Sequence, residues 1–266
     1  MPVSFSSATL SDRFPDVVAA LRAAGCVFAE DEARLLLGAA RTPAELTALV
    51  ERRAAGLPLE HVLGWAEFRG LRIAVEAGVF VPRRRTEFLV EQALARVPHA
   101  TVVVDLCCGS GAVGAALAAE LGDVELHAAD VDPAAVRCAR RNVAGHGGRV
   151  HTGDLFAALP GDLRGRIHVL AANVPYVPTA EVALLPAEAR DHEPLTALDG
   201  GSDGLDVVRR VAAEAPRWLA PGGCLLIETS ERQAPAAAVA FARAGLAADL
   251  VVSAELHAHV VVGTSA

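Results

Sequence analysis

A glycine-rich stretch that follows a run of β-branched residues is the first segment whose composition could do chemistry. It comprises Asp105, Leu106, Cys107, Cys108, Gly109, Ser110 and Gly111. Gly109 and Gly111 have no Cβ, so a ligand could approach their backbone closely, and a helix predicted from Ala112 would present its N-terminal amides. A tight structural connection is the alternative interpretation. The spacing is not the GxGxxG of dinucleotide-binding proteins, which makes nicotinamide binding the weaker ligand hypothesis.

Acidic residues at two further predicted strand ends are candidates for cofactor contacts. Asp130 is followed by Val131, and Asp154 by Leu155. In open α/β sheets ligands bind beyond the carboxyl ends of the strands, so these positions should share one crevice with the glycine-rich stretch. Asp130 could accept hydrogen bonds from ribose hydroxyls, a stronger interpretation than capping the next helix. Asp154 and Leu155 could give an adenine ring a polar contact and an apolar wall, and a structural role for Asp154 is an equal alternative.

The cysteines indicate neither a metal site nor a disulfide framework. There are five, at positions Cys26, Cys107, Cys108, Cys138 and Cys224. The number is odd and no pair has the CxxC spacing of a zinc site, so we predict buried reduced thiols and no metal. Cys107 and Cys108 are interpreted as small packing residues and not as nucleophiles, because no basic group is visibly placed to lower the thiol pKa.

The elements that must position these residues alternate between strand and helix from Thr101 onward. Strands are predicted over 101–106, 124–129, 167–172, 224–228, 246–251 and 259–262, and helices over 112–121 and 133–143. This alternation predicts an α/β fold with a mainly parallel sheet and right-handed crossovers. Upstream, residues 11–53 carry apolar residues at helical spacing, and residues 71–75 alternate like a strand or hairpin within a connector.

Composition narrows the class of protein. The chain has 266 residues, of which 53% are hydrophobic, and a net charge of −8. It can therefore bury a sizeable core, while a general affinity for nucleic-acid phosphates is disfavoured. The sequence contains no lysine, which excludes Schiff-base chemistry. Because no apolar run approaches the roughly twenty residues of a membrane span and no secretory signal is recognisable, we expect a cytoplasmic protein.

The segment after the strand predicted over 167–172 carries a family resemblance. It reads Asn173, Val174, Pro175 and Tyr176, one residue away from the Asn-Pro-Pro-Tyr signature of methyltransferases that modify planar nitrogen. Supporting stretches lie at 56–68, 80–87 and 192–205, the last containing Glu-Pro and Asp-Gly-Gly. On these residues the chain resembles the protein-(glutamine-N5) methyltransferases of the HemK type, which methylate the glutamine of the Gly-Gly-Gln motif in peptide-chain release factors.

The resemblance implies a fold, a domain plan and a cofactor. The fold would be a Rossmann-like class I methyltransferase with a mainly parallel seven-stranded sheet behind a small helical domain. Residues 1–55 would engage the protein substrate, 56–80 would form a connector with a β-hairpin, and 81–266 would be the methyltransferase domain. S-adenosyl-L-methionine would be bound by Asp105, Cys107, Cys108, Gly109, Ser110, Gly111, Asp130, Val131, Asp154, Leu155 and Asn173. The partner would be a protein, plausibly a release factor, with no membrane or direct nucleic-acid contact.

Roles for the proposed catalytic residues Asn173, Val174, Pro175 and Tyr176 also follow from the resemblance. The side-chain oxygen of Asn173 would accept one hydrogen of the substrate amide, the backbone carbonyl of Val174 would accept the other, and Tyr176 would pack against the amide plane. An amide nitrogen is a poor nucleophile, so catalysis would come from holding it in line with the methyl donor. A loop in which Asn173 merely caps a turn is the less favoured alternative.

Two departures from the family pattern leave other functions open. Val174 replaces a proline, although Pro175 still biases it toward extended geometry. Arg84 and Arg85 stand where the family usually has Pro and Glu, and the resulting run 83–85 is interpreted as a solvated face or as a contact for an acidic partner or RNA. The alternatives are a small-molecule methyltransferase, a nucleic-acid adenine methyltransferase, disfavoured by the acidic charge, and a non-catalytic protein that retains the fold.

Overall fold

Helices form the first part of the chain in the computed structural model, which describes residues 10–266. They are α1 (Phe14–Ala23), α2 (Ala29–Ala39), α3 (Pro43–Ala54) and the short α4 (Leu59–Leu63). Helix α3 begins after Thr42, whose hydroxyl accepts a hydrogen bond from the Glu45 backbone N–H at 3.2 Å. Leu21, Leu36 and Leu46 are fully buried in a small core of their own. The predicted helical N-terminal unit is confirmed from residue 10 onward, and residues 1–9 lie outside the described part.

A β-hairpin joins this helical unit to the rest of the molecule. Strands β1 (Trp65–Phe68) and β2 (Leu71–Ala74) pair antiparallel. Arg69 and Gly70 between them both have positive φ, as the two-residue turn of a tight hairpin requires. Asn142 holds the hairpin by accepting from the Ala74 backbone N–H at 2.8 Å and donating to the Ala74 carbonyl at 2.9 Å. The stretch 71–75, predicted as a strand or hairpin, supplies the second strand of this hairpin.

A seven-stranded sheet follows, with strands in the order β5-β4-β3-β6-β7-β9-β8. Its strands are β3 (Val102–Leu106), β4 (Glu125–Asp130), β5 (Arg149–Thr152), β6 (Ile167–Ala172), β7 (Leu219–Thr229), β8 (Ala247–Ser253) and β9 (Ala258–Thr264). Strands β3 to β7 are parallel, and β9 runs antiparallel to both β7 and β8. The mainly parallel seven-stranded α/β sheet predicted from the sequence is confirmed.

Helices cover both faces of the sheet. They are α5 (Glu87–Arg96), α6 (Ala112–Leu121), α7 (Pro133–Val143), the short α8 (Ala187–His192) and α9 (Leu195–Leu198), α10 (Asp206–Glu214) and α11 (Ala234–Arg243). One apolar core lies between the sheet and α5, α6 and the hairpin, and a second lies between the sheet and α10 and α11. Among residues 10–266, no helix has both the length and the apolarity needed to cross a bilayer.

Strand β7 is longer than its sequence pattern indicates. The strand predicted over 224–228 begins earlier, at Leu219, because residues 220–223 form a bulge inside β7. Ile167 pairs with Leu219 and Val169 with Cys224, so the register shifts across the bulge. A Cβ on Gly223 would lie 2.5 Å from the Ile167 carbonyl oxygen, which explains the glycine at this close approach.

Candidate active site

A cavity of about 600 Å³ lies beyond the carboxyl ends of strands β3, β4 and β6. Leu106 pairs with Ala129 on one side and with Ala172 on the other, so the segments after these three strands meet at one edge of the sheet. All the site residues predicted from the sequence line this cavity except Gly111 and Val131. Val131 is exposed beside it.

The two glycines of the loop after β3 have different surroundings. Gly109 lines the cavity with φ +52°, and a Cβ there would meet only Phe80 within 4 Å, at 3.9 Å. Gly111 begins helix α6 with φ +78°, and its Cβ would lie 3.0 Å from the Ala139 Cβ on α7. Close backbone approach to a ligand is therefore possible at Gly109, whereas Gly111 allows two helices to pack closely.

The cysteine thiols of this loop are poor nucleophiles. Burial raises the pKa of Cys107 and that of Cys108, and the nearby carboxylates of Asp105 and Asp130 raise both further. All five cysteines are free. The prediction that all are buried is wrong for Cys26 and Cys107, which are half-buried, and Cys107 is partly open because its loop lines the cavity. Within residues 10–266, no group of three His, Cys, Asp or Glu side chains is arranged to hold a metal ion.

Asp130 is held as an acceptor at the end of β4. One carboxylate oxygen accepts from the Gly109 N–H and the other from the Asp132 N–H, each at 2.9 Å. Asp132 caps helix α7 by accepting from the Ala134 N–H at 2.7 Å, so Asp130 is not the capping residue. A carboxylate has about four acceptor sites, so each Asp130 oxygen can still accept a ligand hydroxyl. Burial raises the pKa of Asp130 above its usual value.

Asp154 and Leu155 form one wall of the cavity. Asp154 is exposed and paired with Arg210 on α10 at 2.6 Å, and both line the cavity. Leu155 is buried in a left-handed conformation, with φ +49°. The wall therefore combines an apolar side chain with charged groups at the rim, which suits a planar heterocycle with polar edges.

Asp105 lies at the floor of the cavity and is almost completely buried. Its Oδ2 accepts from the Gly114 N–H at 2.8 Å, and a Cβ on Gly114 would lie 3.1 Å from that oxygen. Burial raises the pKa of Asp105 to about 8, with a smaller contribution from the charge of Asp130. The native carboxyl therefore retains its proton to a higher pH than an exposed aspartate does.

The segment after β6 presents two hydrogen-bond acceptors. Asn173 Nδ2 donates to Thr86 Oγ1 at 3.3 Å, which leaves Asn173 Oδ1 unused in that contact, and Asn173 lines the cavity. Among residues 10–266, no donor contacts Asn173 Oδ1 or the Val174 carbonyl oxygen. Gly200 packs closely against this segment, because a Cβ at that position would lie 2.7 Å from the Pro175 carbonyl oxygen. A planar NH2 group is the natural ligand for two such acceptors.

Tyr176 is fixed at both its side chain and its backbone. Its hydroxyl accepts a hydrogen bond from the Arg85 guanidinium and lies 3.4 Å from Glu228 Oε1. Its carbonyl accepts from Gln233 Nε2 at 2.8 Å. Burial and the charge of Glu228 raise the pKa of Tyr176 to about 12, so the phenol is protonated at neutral pH.

The arginine run at 83–85 is partly a solvated face, since Arg84 and Arg85 are exposed, but two of its members also pair with buried carboxylates of the same chain. Arg83 contacts the buried carboxylate of Glu193 at 2.6 Å, and Arg85 contacts that of Glu228 at 2.9 Å. Glu193 also accepts from the Val81 N–H at 3.2 Å. The acidic partners expected for this run are therefore residues of the same chain.

Sequence reasoning gave no role to several residues that build the site. They are Phe80, Thr86, Arg210, Glu228 and Gln233, whereas Arg85 is interpreted only as part of the arginine run and Glu193 only as a residue that shapes the cleft. The signals available were the position of Thr86 within a family-like stretch and the departure from the family pattern at Arg85. For Gln233 and Arg210 the sequence carries no signal, because each lies far along the chain from the predicted site residues and reaches the site only when the protein is folded.

Comparisons with known proteins identify the family and the fold. The Methyltransferase small domain family model matches residues 70–181. A release factor glutamine methyltransferase from Geobacter sulfurreducens is 44% identical over 208 residues, covering 76% of this chain and 72% of that protein. Another from Mycolicibacterium smegmatis is 38% identical over 232 residues, covering 85% and 82%. A solved methyltransferase structure from Pyrococcus furiosus covers 74% of this chain and 90% of its own, with a TM-score of 0.56 and 16% identity, which supports the fold.

The cavity suits S-adenosylmethionine as the cofactor. Asp130 retains acceptor capacity for ribose hydroxyls, the open side of Gly109 admits a ligand against the backbone, and Leu155 offers an apolar surface to the adenine. Its volume lies within the range of small-molecule sites. With this cofactor site and these relatives, the chain belongs to the release factor glutamine methyltransferase family, whose members are S-adenosylmethionine-dependent enzymes.

Proposed function

We propose that this protein methylates the side-chain amide nitrogen of a glutamine in a peptide-chain release factor. The observation that carries the proposal is a pair of acceptors, Asn173 Oδ1 and the Val174 carbonyl oxygen, which belong to residues lining the cofactor cavity and have no donor among residues 10–266. An amide NH2 offers two donors in one plane, and this pair matches them. The names of the relatives at 38–44% identity support the same substrate.

The chain's own residues act mainly by position and charge. Bound S-adenosylmethionine supplies an electrophilic methyl group on a sulfonium sulfur. Asn173 and Val174 hold both amide hydrogens, which directs the nitrogen lone pair toward the cofactor side of the cavity. Positive charge develops on the nitrogen during transfer, and the two oxygens stabilise it more strongly than they stabilise the neutral amide. The N-methylated cation then loses one N–H proton to water, so no strong base is needed beforehand.

Val174 is compatible with this role although the family usually has proline there. Its side chain is buried in the apolar core between the sheet and helices α10 and α11, and this packing holds the residue in place. Pro175 disfavours helical backbone at the preceding position, so Val174 is held extended and its carbonyl can face the cavity. The carbonyl oxygen, and not the side chain, would contact the substrate, and this atom is common to valine and proline.

The domain plan is also a proposal. We assign substrate engagement to residues 1–55, the connector to 56–80 and methyl transfer to 81–266. In the described part of the first unit, Val27 and Phe28 are adjacent and exposed by 82% and 70%, an apolar tip that a protein partner could cover. Since release factors act during translation, we place the protein in the cytoplasm.

The test is methyl transfer from labelled S-adenosylmethionine to purified release factors from the same organism. A factor with Gly-Gly-Gln changed to Gly-Gly-Ala is the matched control. Label on the unaltered factor alone would support the proposal. Cofactor binding with no label on any release factor would reject it and point to another acceptor, a small amide or amine among them.

A further inference from the structure

Three side chains meet beside the acceptor segment. Glu228 lies near the end of β7, and its side chain is 2% exposed. Arg85 Nε donates to Glu228 Oε1 at 2.9 Å, and the same guanidinium donates to the Tyr176 hydroxyl. The guanidinium carbon also lies 5.8 Å from the centre of the Tyr176 ring. Arg85 therefore joins a buried carboxylate to the aromatic residue of the acceptor segment.

The negative charge of Glu228 keeps the Arg85 guanidinium between Glu228 and Tyr176. A buried carboxylate without a cation is strongly disfavoured, and Arg85 is the cation paired with Glu228. The second oxygen of Glu228 has no hydrogen-bond partner among the described residues, so if Arg85 turns away the carboxylate keeps only the long contact of its Oε1 with the Tyr176 hydroxyl at 3.4 Å. The planar guanidinium can donate from Nε to one acceptor and from a terminal nitrogen to another at fixed relative positions.

We propose that Arg85 is a positioning residue that orients the Tyr176 ring against the acceptor amide. The inference rests on the proposed function, in which that ring packs against the amide plane. The Tyr176 carbonyl is already held by Gln233, so the Arg85 contact fixes the free end of the side chain. A ring fixed at both ends presents one face to the cavity, and a misplaced ring would let the amide tilt away from the line of methyl transfer.

A pair of conservative substitutions isolates this role. Arg85→Lys keeps a positive charge beside Glu228, but an ammonium lacks the fixed fork that reaches both partners. Tyr176→Phe keeps the ring and removes the hydroxyl. Arg84→Lys is the matched control, because Arg84 is exposed and does not line the cavity. Thermal unfolding of each variant shows whether it is folded.

The kinetic test is a double-mutant cycle on transfer to the release factor. We expect Arg85→Lys to lower kcat roughly tenfold, with the KM for S-adenosylmethionine unchanged within about twofold. In the Tyr176→Phe background the same change should cost no more than about twofold, because the contact it acts through is already lost. An equal loss in both backgrounds would show that Arg85 acts independently of Tyr176, and unchanged kcat in Arg85→Lys would also overturn the inference.

A second readout needs no methyl acceptor. Tyr176 is the only tyrosine in the sequence, so carbon-13 labelling at tyrosine Cζ gives a single resonance. Its chemical shift should change in Arg85→Lys and stay constant in Arg84→Lys. If release factors are not methylated but the resonance changes in Arg85→Lys, only the proposed acceptor is wrong. No change in the resonance would contradict the Arg85 contact itself, whatever the acceptor.

Discussion

Asn173 donates its side-chain Nδ2–H to the hydroxyl of Thr86 at 3.3 Å. Thr86 is buried and precedes helix α5, so its hydroxyl is fixed by the backbone around it. In this contact the NH2 end of the Asn173 amide points to Thr86, which leaves the oxygen end available to a substrate. A reversed amide would present donors to a substrate NH2, which is itself a donor, and the acceptor pair would be lost.

Thr86→Val should therefore slow methyl transfer while leaving cofactor binding intact. Valine has nearly the shape of threonine but cannot accept the Nδ2–H, so we expect kcat to fall about tenfold, the effect of one hydrogen bond worth about 1.4 kcal/mol. Thr86→Ser should recover most of the rate. Titration calorimetry with S-adenosylmethionine measures the binding. If serine were as slow as valine, packing by the methyl group would be the role of Thr86.

Asn173→Ala should abolish the side-chain acceptor altogether. We expect turnover to fall by about a hundredfold or more, since a charge-stabilising contact of the transition state is removed. Cofactor affinity should stay within a few-fold. Single-turnover transfer to the release factor, combined with equilibrium binding, separates the two effects. Comparable losses in cofactor affinity and in rate would mean that Asn173 mainly holds the cofactor.

Asp130→Asn should weaken the cofactor and its demethylated product equally. The amide retains one acceptor oxygen for two backbone N–H groups and the ribose, so we expect a loss of roughly ten- to a hundredfold in affinity, about 1.4–2.8 kcal/mol. Asp123→Asn, at an exposed position away from the cavity, is the control for loss of charge. If affinity fell for S-adenosylmethionine but not for its demethylated product, Asp130 would be interacting with the sulfonium charge and not with the ribose.

Elements bounded by strong local signals are predictable from the sequence. Helix α6 spans Ala112–Leu121 and α7 spans Pro133–Val143, both as predicted, because glycines flank the first and an Asp-Pro pair opens the second. Strand β6 at Ile167–Ala172 is also as predicted, since it is a short apolar run of the kind that parallel sheets bury. These three elements carry or flank most of the cofactor loop and the acceptor segment.

The remaining parts lack a local signal. Strand β5 has four residues, Arg149–Thr152, and none is fully buried, so neither alternation nor an apolar run marks it. The pairs of Arg85 with Glu228 and of Arg83 with Glu193 join residues 143 and 110 positions apart. Only the assembled fold brings them together, so the run of arginines indicated exposure correctly for Arg84 and Arg85 but could not indicate the buried carboxylates that pair with Arg83 and Arg85.

The buried carboxyl of Asp105 makes stability depend on pH. Its pKa is raised by burial to about 8, against about 3.9 in an unfolded chain. Between these values the unfolded state has released the proton and the native state retains it. The stabilisation is therefore complete below about pH 4 and is lost as pH rises toward 8. Asparagine does not titrate, so the stability of Asp105→Asn should not fall with rising pH through ionisation at this position.

We accordingly expect Asp105→Asn to gain stability relative to the wild type as pH rises from 5 to 8, by on the order of a few kcal/mol. Urea unfolding of both proteins without cofactor at several pH values measures the difference. Asp130 and Glu193, whose pKa values burial also raises, contribute to both proteins and largely cancel. A difference that stays flat over this range would mean that Asp105 is ionised in the native state, so that the fold stabilises the charge before any sulfonium is bound.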